Sequence, residues 1–269
     1  MKKCFLVVLY KCKVCESATA ISLKNNKIGS CDANEIFVWD NSPNIINSLE
    51  DCKDFFETKN VYFFHTPENT SLAIVYNTVI SICSSADYIA IFDQDTMIKE
   101  ENLDSTLNRA IENNKDINLF MPLIRTSSGA IYSPGKNILP GKNKKIKKIS
   151  FGVCNCKNLV GITSGLVIST QYLKEQYKFN EELKLYGVDT DFFYHYTRKN
   201  KYLYLLNIDI SHNLSFENEN ISEEENWLRF LERNTAYYKI YKTKREKIFV
   251  WLWIFIYKVM HKINILRYK

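Results

Sequence analysis

The chain has 269 residues, of which 46% are hydrophobic and 25% charged. That size and balance suit one large α/β domain with a small appendage, and exclude a disordered or fibrous chain. The net charge is +6, but residues 239–269 hold nine Lys/Arg against Glu246 alone, a tail of +8 on a nearly neutral body. A basic tail serves nucleic acid or an anionic membrane, and the aromatics of this one favour the membrane.

The first elements alternate. Residues 4–10 form a continuous apolar run, the pattern of a buried parallel strand. Residues 17–24 read as a helix, and 35–42 as a strand ending in Asp40-Asn41-Ser42. Residues 61–65 are a third strand. Apolar Leu72, Val75, Val79 and Ile82 then recur at helical spacing behind an Asn69–Thr70 cap. DYIAIFDQDT is the next strand, residues 100–113 a helix and 117–125 a strand. Strands alternating with helices imply a parallel, doubly wound sheet with its ligand beyond the carboxyl ends of the strands. No GxGxxG or GxxxxGK[ST] occurs, which removes the main support for dinucleotide and P-loop readings.

Beyond residue 125 the pattern loosens. GKNKKIKKIS (141–150) reads as a mobile loop with solvated lysines. In LVGITSGLVIS (159–169), Gly161 and Gly165 permit close backbone approach. Asp189 and Asp191 open a helix over 190–200, where carboxylates complement the dipole. Residues 202–210 read as a strand, with His212 just past its end. Residues 248–257 are ten apolar residues in a row, basic on both sides and too short for a bilayer span of about 20 residues. They fit either a membrane-surface helix or a C-terminal core helix.

The eight cysteines, two of them in or near apolar strand-like runs, are expected to be free thiols in a cytosolic chain. The short apolar run after MKKC, with no small-residue cleavage site, does not read as a signal peptide. Cys12-x-x-Cys15 with Cys154-x-Cys156 has an unusual spacing for a zinc site.

The chemistry centres on Asp93 and Asp95. Two like charges one residue apart repel unless a cation lies between them. Hard divalent ions prefer carboxylate oxygens, and Mg²⁺ takes only one or two from the protein. The pair therefore reads as a metal site, against the plainer reading of an acidic turn.

Seven stretches in order resemble family 2 glycosyltransferases of the GT-A fold: LYKCKVCESATAISL, IFVWDNSPN, PENTSLAIVYNTVI, YIAIFDQDT, GITSGLVIS, LKLYGVDTDFF and SHNLS. DQDT and the SGxxIS stretch most resemble the rhamnosyltransferase-like branch. The resemblance implies a Rossmann-like, mostly parallel sheet flanked by helices, with a donor half over about 1–125 and an acceptor half over about 126–240. A basic, apolar helical tail, 241–269, would follow. It implies inverting transfer from a nucleotide-diphospho-sugar to a hydroxyl of a lipid-linked oligosaccharide, in the synthesis of bacterial O-antigen or capsule. Mg²⁺ or Mn²⁺ would be held by Asp93, Asp95 and His212. Tyr10, Asp40, Asn69, Asn77 and Asp93 would line the donor pocket. The general base would be Asp189 or Asp191; Val188 stands where the family usually has Glu, so both stay open. The expected place is the cytoplasmic face of the inner membrane, with no nucleic-acid partner. The rival is a catalytically inactive nucleotide-sugar-binding or scaffold protein at the membrane.

Overall fold

A computed structural model describes residues 1–83, 85–126, 129–146, 150–212 and 222–267, without the side chains of His212, Glu223 and 262–267. The first 125 residues run β1 (Lys3–Leu9), α1 (Ala18–Asn25), β2 (Asn34–Asp40), α2 (Leu49–Phe56), β3 (Val61–His65), α3 (Leu72–Ile82), β4 (Tyr88–Asp93), β5 (Thr96–Ile98), α4 (Leu103–Glu112) and β6 (Leu119–Arg125). Then come β7 (Ile131–Ser133), β8 (Gly135–Leu139), β9 (Lys142–Lys145), β10 (Gly152–Asn155), β11 (Leu159–Val160) and β12 (Leu166–Ser169). The chain ends with α5 (Thr170–Glu175), α6 (Val188–Lys199), β13 (Tyr202–His212), α7 (Glu223–Ile240) and α8 (Lys244–Arg267).

The main sheet has the order β10-β13-β6-β12-β4-β1-β2-β3, with β5 on β13 and β7 on β6. One side of it, β4-β1-β2-β3, is parallel as the alternation implies. The other side is mixed: β12 runs antiparallel to both β4 and β6, whereas β13 is parallel to β6. β1 is buried along its whole length because both faces are covered. Cys4, Leu6 and Val8 meet the layer of α3, α5 and α6. Phe5, Val7 and Leu9 meet α1, α2 and α4.

Several expectations change. Within the lysine stretch 141–150, Lys142–Lys145 form a strand, β9, paired with β8 in a hairpin rather than a loop, while 147–149 lie outside the described residues. α2 and α7 lie where no element is read from the sequence. α3 starts after Ser71, so Asn69–Thr70 precede its cap. β13 runs on to include His212, whose backbone pairs with Thr96.

Gly161 and Gly165 do sit where chains crowd. A Cβ on Gly161 would lie 2.8 Å from Met121 Cε. Gly165 has φ +86°, and its Cβ would lie 2.7 Å from Pro122 Cγ and 2.8 Å from Ile210 Cδ1. Gly165→Ala is therefore expected to destabilise the fold by about 2 kcal/mol or more. Urea denaturation checks this; an unchanged midpoint would contradict the packing described at this position.

Candidate active site

The parallel register aligns the strand ends. Val8 pairs with both Trp39 and Asp93, and Leu9 with Asp40. β4 stops at Asp93, so Asp95 lies in the turn that follows. The turn, not strand alternation, brings both carboxylates to one cleft of about 770 Å³.

That turn is held from three sides. From the first turn of α1, the Thr19 hydroxyl donates to the Asp93 carbonyl and accepts from Thr96 N–H at 2.9 Å. Thr19 N–H and the Ser17 hydroxyl donate to the Gln94 carbonyl at 3.2 and 2.8 Å. From β1, Tyr10 N–H donates to Gln94 Oε1 at 2.7 Å. From the start of β12, Ser164 Oγ accepts from Asp93 N–H at 3.0 Å and lies 2.6 Å from Thr96 Oγ1. The antiparallel direction of β12 makes this possible, since its beginning meets the end of β4.

The next residue along serves the opposite wall. Asp189 Oδ1 accepts from Thr163 N–H at 3.0 Å and from its hydroxyl at 2.7 Å. The dipeptide Thr163–Ser164 thus holds Asp189 with one residue and the Asp93–Thr96 turn with the other. Asp189 lines the same cleft as Asp93 and Asp95. It stands in the first turn of α6 behind Gly187, which has φ +92° and sits so close to α7 that a Cβ would be 2.7 Å from Ala236 Cβ.

Asp191 faces the other way. It is 3% exposed, accepts from the Tyr177 hydroxyl at 2.8 Å and lies 3.6 Å from His195 Nε2. Helical periodicity puts it on the buried face with Val188, Phe192 and Tyr196. Of the two acids the sequence leaves open, only Asp189 reaches the cleft.

The remaining donor candidates divide. Tyr10 and Asn69 line the cleft. Asn69 Oδ1 accepts from Asn41 Nδ2 at 3.1 Å. Asp40 is fully buried outside the lining, where its carboxylate accepts from Ser42 N–H and Asn47 Nδ2, each at 3.0 Å. It shapes the loop after β2. Asn77 ties α3 to the 179–181 segment through Phe179 and Glu181, also outside the lining. The side chain of His212 lies outside the described residues, but the register sets its backbone opposite Thr96, beside Asp95. Sequence reasoning gives no role to Thr19, Thr163 or Ser164, which hold the site, nor to Lys184 and Glu232, which line it, although GITSG does mark Thr163 and Ser164 ahead of β12.

Asp93 and Asp95 suit a hard divalent ion. Among the described residues no group of three or more His, Cys, Asp or Glu gathers as a full cage. Two carboxylates on a cleft fit an ion that completes its shell with substrate and water oxygens.

A family model described as glycosyl transferase family 2 matches residues 18–177. Among solved structures, GalNAc-T7 with UDP, GalNAc and Mn²⁺ aligns at TM-score 0.54 and 12% identity, over 79% of this chain and 44% of that one. TarS residues 1–349 from S. aureus, in complex with UDP, align at TM-score 0.54 and 14% identity, over 88% of this chain and 65% of that one. These likenesses establish a shared fold, and this chain spans less than two thirds of either protein. Comparison with curated proteins returns no match.

Burial raises the Asp191 carboxyl above its ordinary range, against the opposing hydrogen bond from Tyr177 and the charge of His195. The folded state then holds that proton more tightly than the unfolded one, so this group's contribution to stability falls as pH rises through the raised value. Asp191→Asn keeps an acceptor for Tyr177 and removes the titration. Its stability relative to wild type is expected to rise between about pH 4 and about pH 7. Denaturation across that range checks it; His195 loses the support of the Asp191 charge in the variant, which lowers its own titration and moves the difference in the same direction. A constant difference would contradict the buried placement of Asp191.

Proposed function

The chain belongs to glycosyl transferase family 2, and from that membership we propose that it moves a sugar from a nucleotide-diphospho-sugar to an acceptor hydroxyl. The observation that carries the proposal is the convergence of Asp93, Asp95 and Asp189 on one cleft, with a single dipeptide holding both walls.

In this reading Tyr10, Asn41 and Asn69 flank the nucleotide and sugar on the donor side. Asp40 supports that side from beneath through the loop after β2. Asp93 and Asp95 would hold Mg²⁺ or Mn²⁺; His212, the third expected ligand, has its backbone opposite Thr96 and its side chain outside the described residues. A bound ion would offset the charge of the diphosphate and of the departing nucleotide. The names of the two solved structures, one with UDP, GalNAc and Mn²⁺ and one with UDP, support this choice of ligand by analogy.

Asp189 takes the proton of the acceptor hydroxyl. The two hydrogen bonds from Thr163 to Oδ1 fix its orientation at the cleft. Asp189 lines the same cleft as the carboxylate pair, and the transfer in this reading is an inverting one, with the acceptor oxygen attacking from the face opposite the leaving group. Tyr132, Lys184, Leu185 and Glu232 line the acceptor side. The sugar is a hexose or deoxyhexose.

The acceptor in this proposal is a lipid-linked oligosaccharide of a bacterial surface polysaccharide, met at the cytoplasmic face of the inner membrane. Support comes from α8. No helix among the described residues is long and apolar enough to cross a membrane. α8 spends one edge on the body, with Val250 1% exposed and Tyr257 stacked on Phe230 at 3.8 Å. Trp251 and Phe255, each 54% exposed, stay open together with Leu252, Trp253 and Ile256, as expected of a helix lying in an interface.

Asp189→Asn is expected to lower kcat by about 10²–10⁴-fold with donor affinity little changed. Asp191→Asn keeps most of the turnover. Steady-state kinetics of both full-length variants decides it, and the reverse pattern would contradict the assignment of the base.

A further inference from the structure

We propose that the β8–β9 hairpin joins α8 in a single two-part surface that docks on an anionic phospholipid bilayer, setting the acceptor side of the cleft against it. This rests on reading α8 as membrane-facing and adds a second, separate contact.

The hairpin carries a charge problem of its own. Lys136 pairs with Lys144 across the strands, and Lys145 with Gly135; Lys142 stands at the turn. Like charges directly opposite one another destabilise a strand pair unless an anion meets them. All four lysines are exposed. Among the described residues none of them is in an ion pair, and the same holds for Lys244, Arg245 and Lys247 in the first turn of α8. At the hairpin's tip Ile138 is 53% and Leu139 40% exposed.

The two parts are tied together. The Tyr241 hydroxyl, at the junction of α7 and α8, accepts from Asn137 Nδ2 at 3.3 Å and from Gly141 N–H at 3.2 Å. Gly141 packs so closely on Tyr237 that a Cβ would lie 2.9 Å from its ring. Hairpin residues Asn137 and Pro140 share the walls of a small pocket with Glu246 of α8. The cationic hairpin is thus joined to the start of α8, the helix that carries exposed Trp251, Trp253 and Phe255.

Cations around aromatic and aliphatic surface match a bilayer with anionic headgroups. A second copy of the chain would set these unpaired cations against each other. Nucleic acid would leave the apolar run of α8 unmatched. Both parts also grow out of the acceptor wall: Tyr132 of β7 lies just before β8, Glu232 lies on α7 just before α8, and both line the cleft. Docking would therefore bring the acceptor side to the lipid.

The test is flotation of the full chain with vesicles of phosphatidylcholine alone, or of phosphatidylcholine and phosphatidylglycerol in equal parts. Wild type is expected to float with the anionic vesicles. A variant combining Lys136→Gln, Lys142→Gln, Lys144→Gln and Lys145→Gln, with α8 intact, should lose about tenfold or more in partitioning. The same four positions changed to Arg should retain it. The Arg variant should melt like wild type and the Gln variant no lower, since these side chains are exposed and the Gln variant also removes the opposed charges. Equal flotation of the Gln variant and wild type overturns the role of the hairpin and leaves α8 standing. Wild type that ignores anionic vesicles overturns both. So does a dimer in light scattering that Trp251→Ser with Trp253→Ser dissolves, or DNA that displaces the vesicles. None of these outcomes bears on the donor site, which nucleotide binding in solution reads separately.

Discussion

Everything at this site depends on holding two like charges close together at the end of a buried strand. Asp93 and Asp95 gain nothing from each other, so their placement has to come from the backbone. Hydrogen bonds from α1, β1 and β12 supply it, and they reach backbone groups of the turn more than the carboxylates. Each such bond contributes only about 1 kcal/mol net. Together they leave the chain at the turn with little freedom, with both acids on the cleft. An ion arriving there meets a turn already in place, so less ordering entropy is lost on binding.

The strands make that holding possible. Three parallel strands end at one level, which is where an α/β sheet places its ligand. One antiparallel strand, β12, then feeds the start of its chain into the same place. A wholly parallel sheet would bring a strand end there instead, and Thr163–Ser164 would not bridge the two walls. The reversal of β12 is thus part of the chemistry as well as of the topology.

How legible this was in the sequence varied by element. β1 was plain, since a strand covered on both faces must be apolar throughout. Asp93, Asp95 and Asp189 were legible from residue type and position. Thr163 and Ser164 were not, because each acts on a partner far away in sequence: Ser164 on a residue 71 positions off, Thr163 on one 26 positions off. Choosing between Asp189 and Asp191 required knowing which face of α6 is buried; the spacing from Val188 to Phe192 and Tyr196 held that information. The lysine hairpin was misread because its composition is that of a solvated loop. What folds it is the packing of Gly141 and Asn137 on Tyr237 and Tyr241, about a hundred residues later. Asp40 and Asn77 read as ligand-binding side chains and were found spent on internal hydrogen bonds, which strand-end position alone does not reveal.

The central claim is that Asp93 and Asp95 hold a nucleoside diphosphate through a divalent cation. Its most direct test is a thermal-shift series on the full chain and on Asp95→Ala, with UDP, dTDP, GDP and CMP, each with and without Mn²⁺. At about a hundred times its dissociation constant, a ligand stabilises the fold by about 2.7 kcal/mol. The account predicts that one diphosphate raises the melting temperature only with Mn²⁺, and that Asp95→Ala abolishes the rise. No rise with any nucleotide, or an equal rise in the variant, would contradict it.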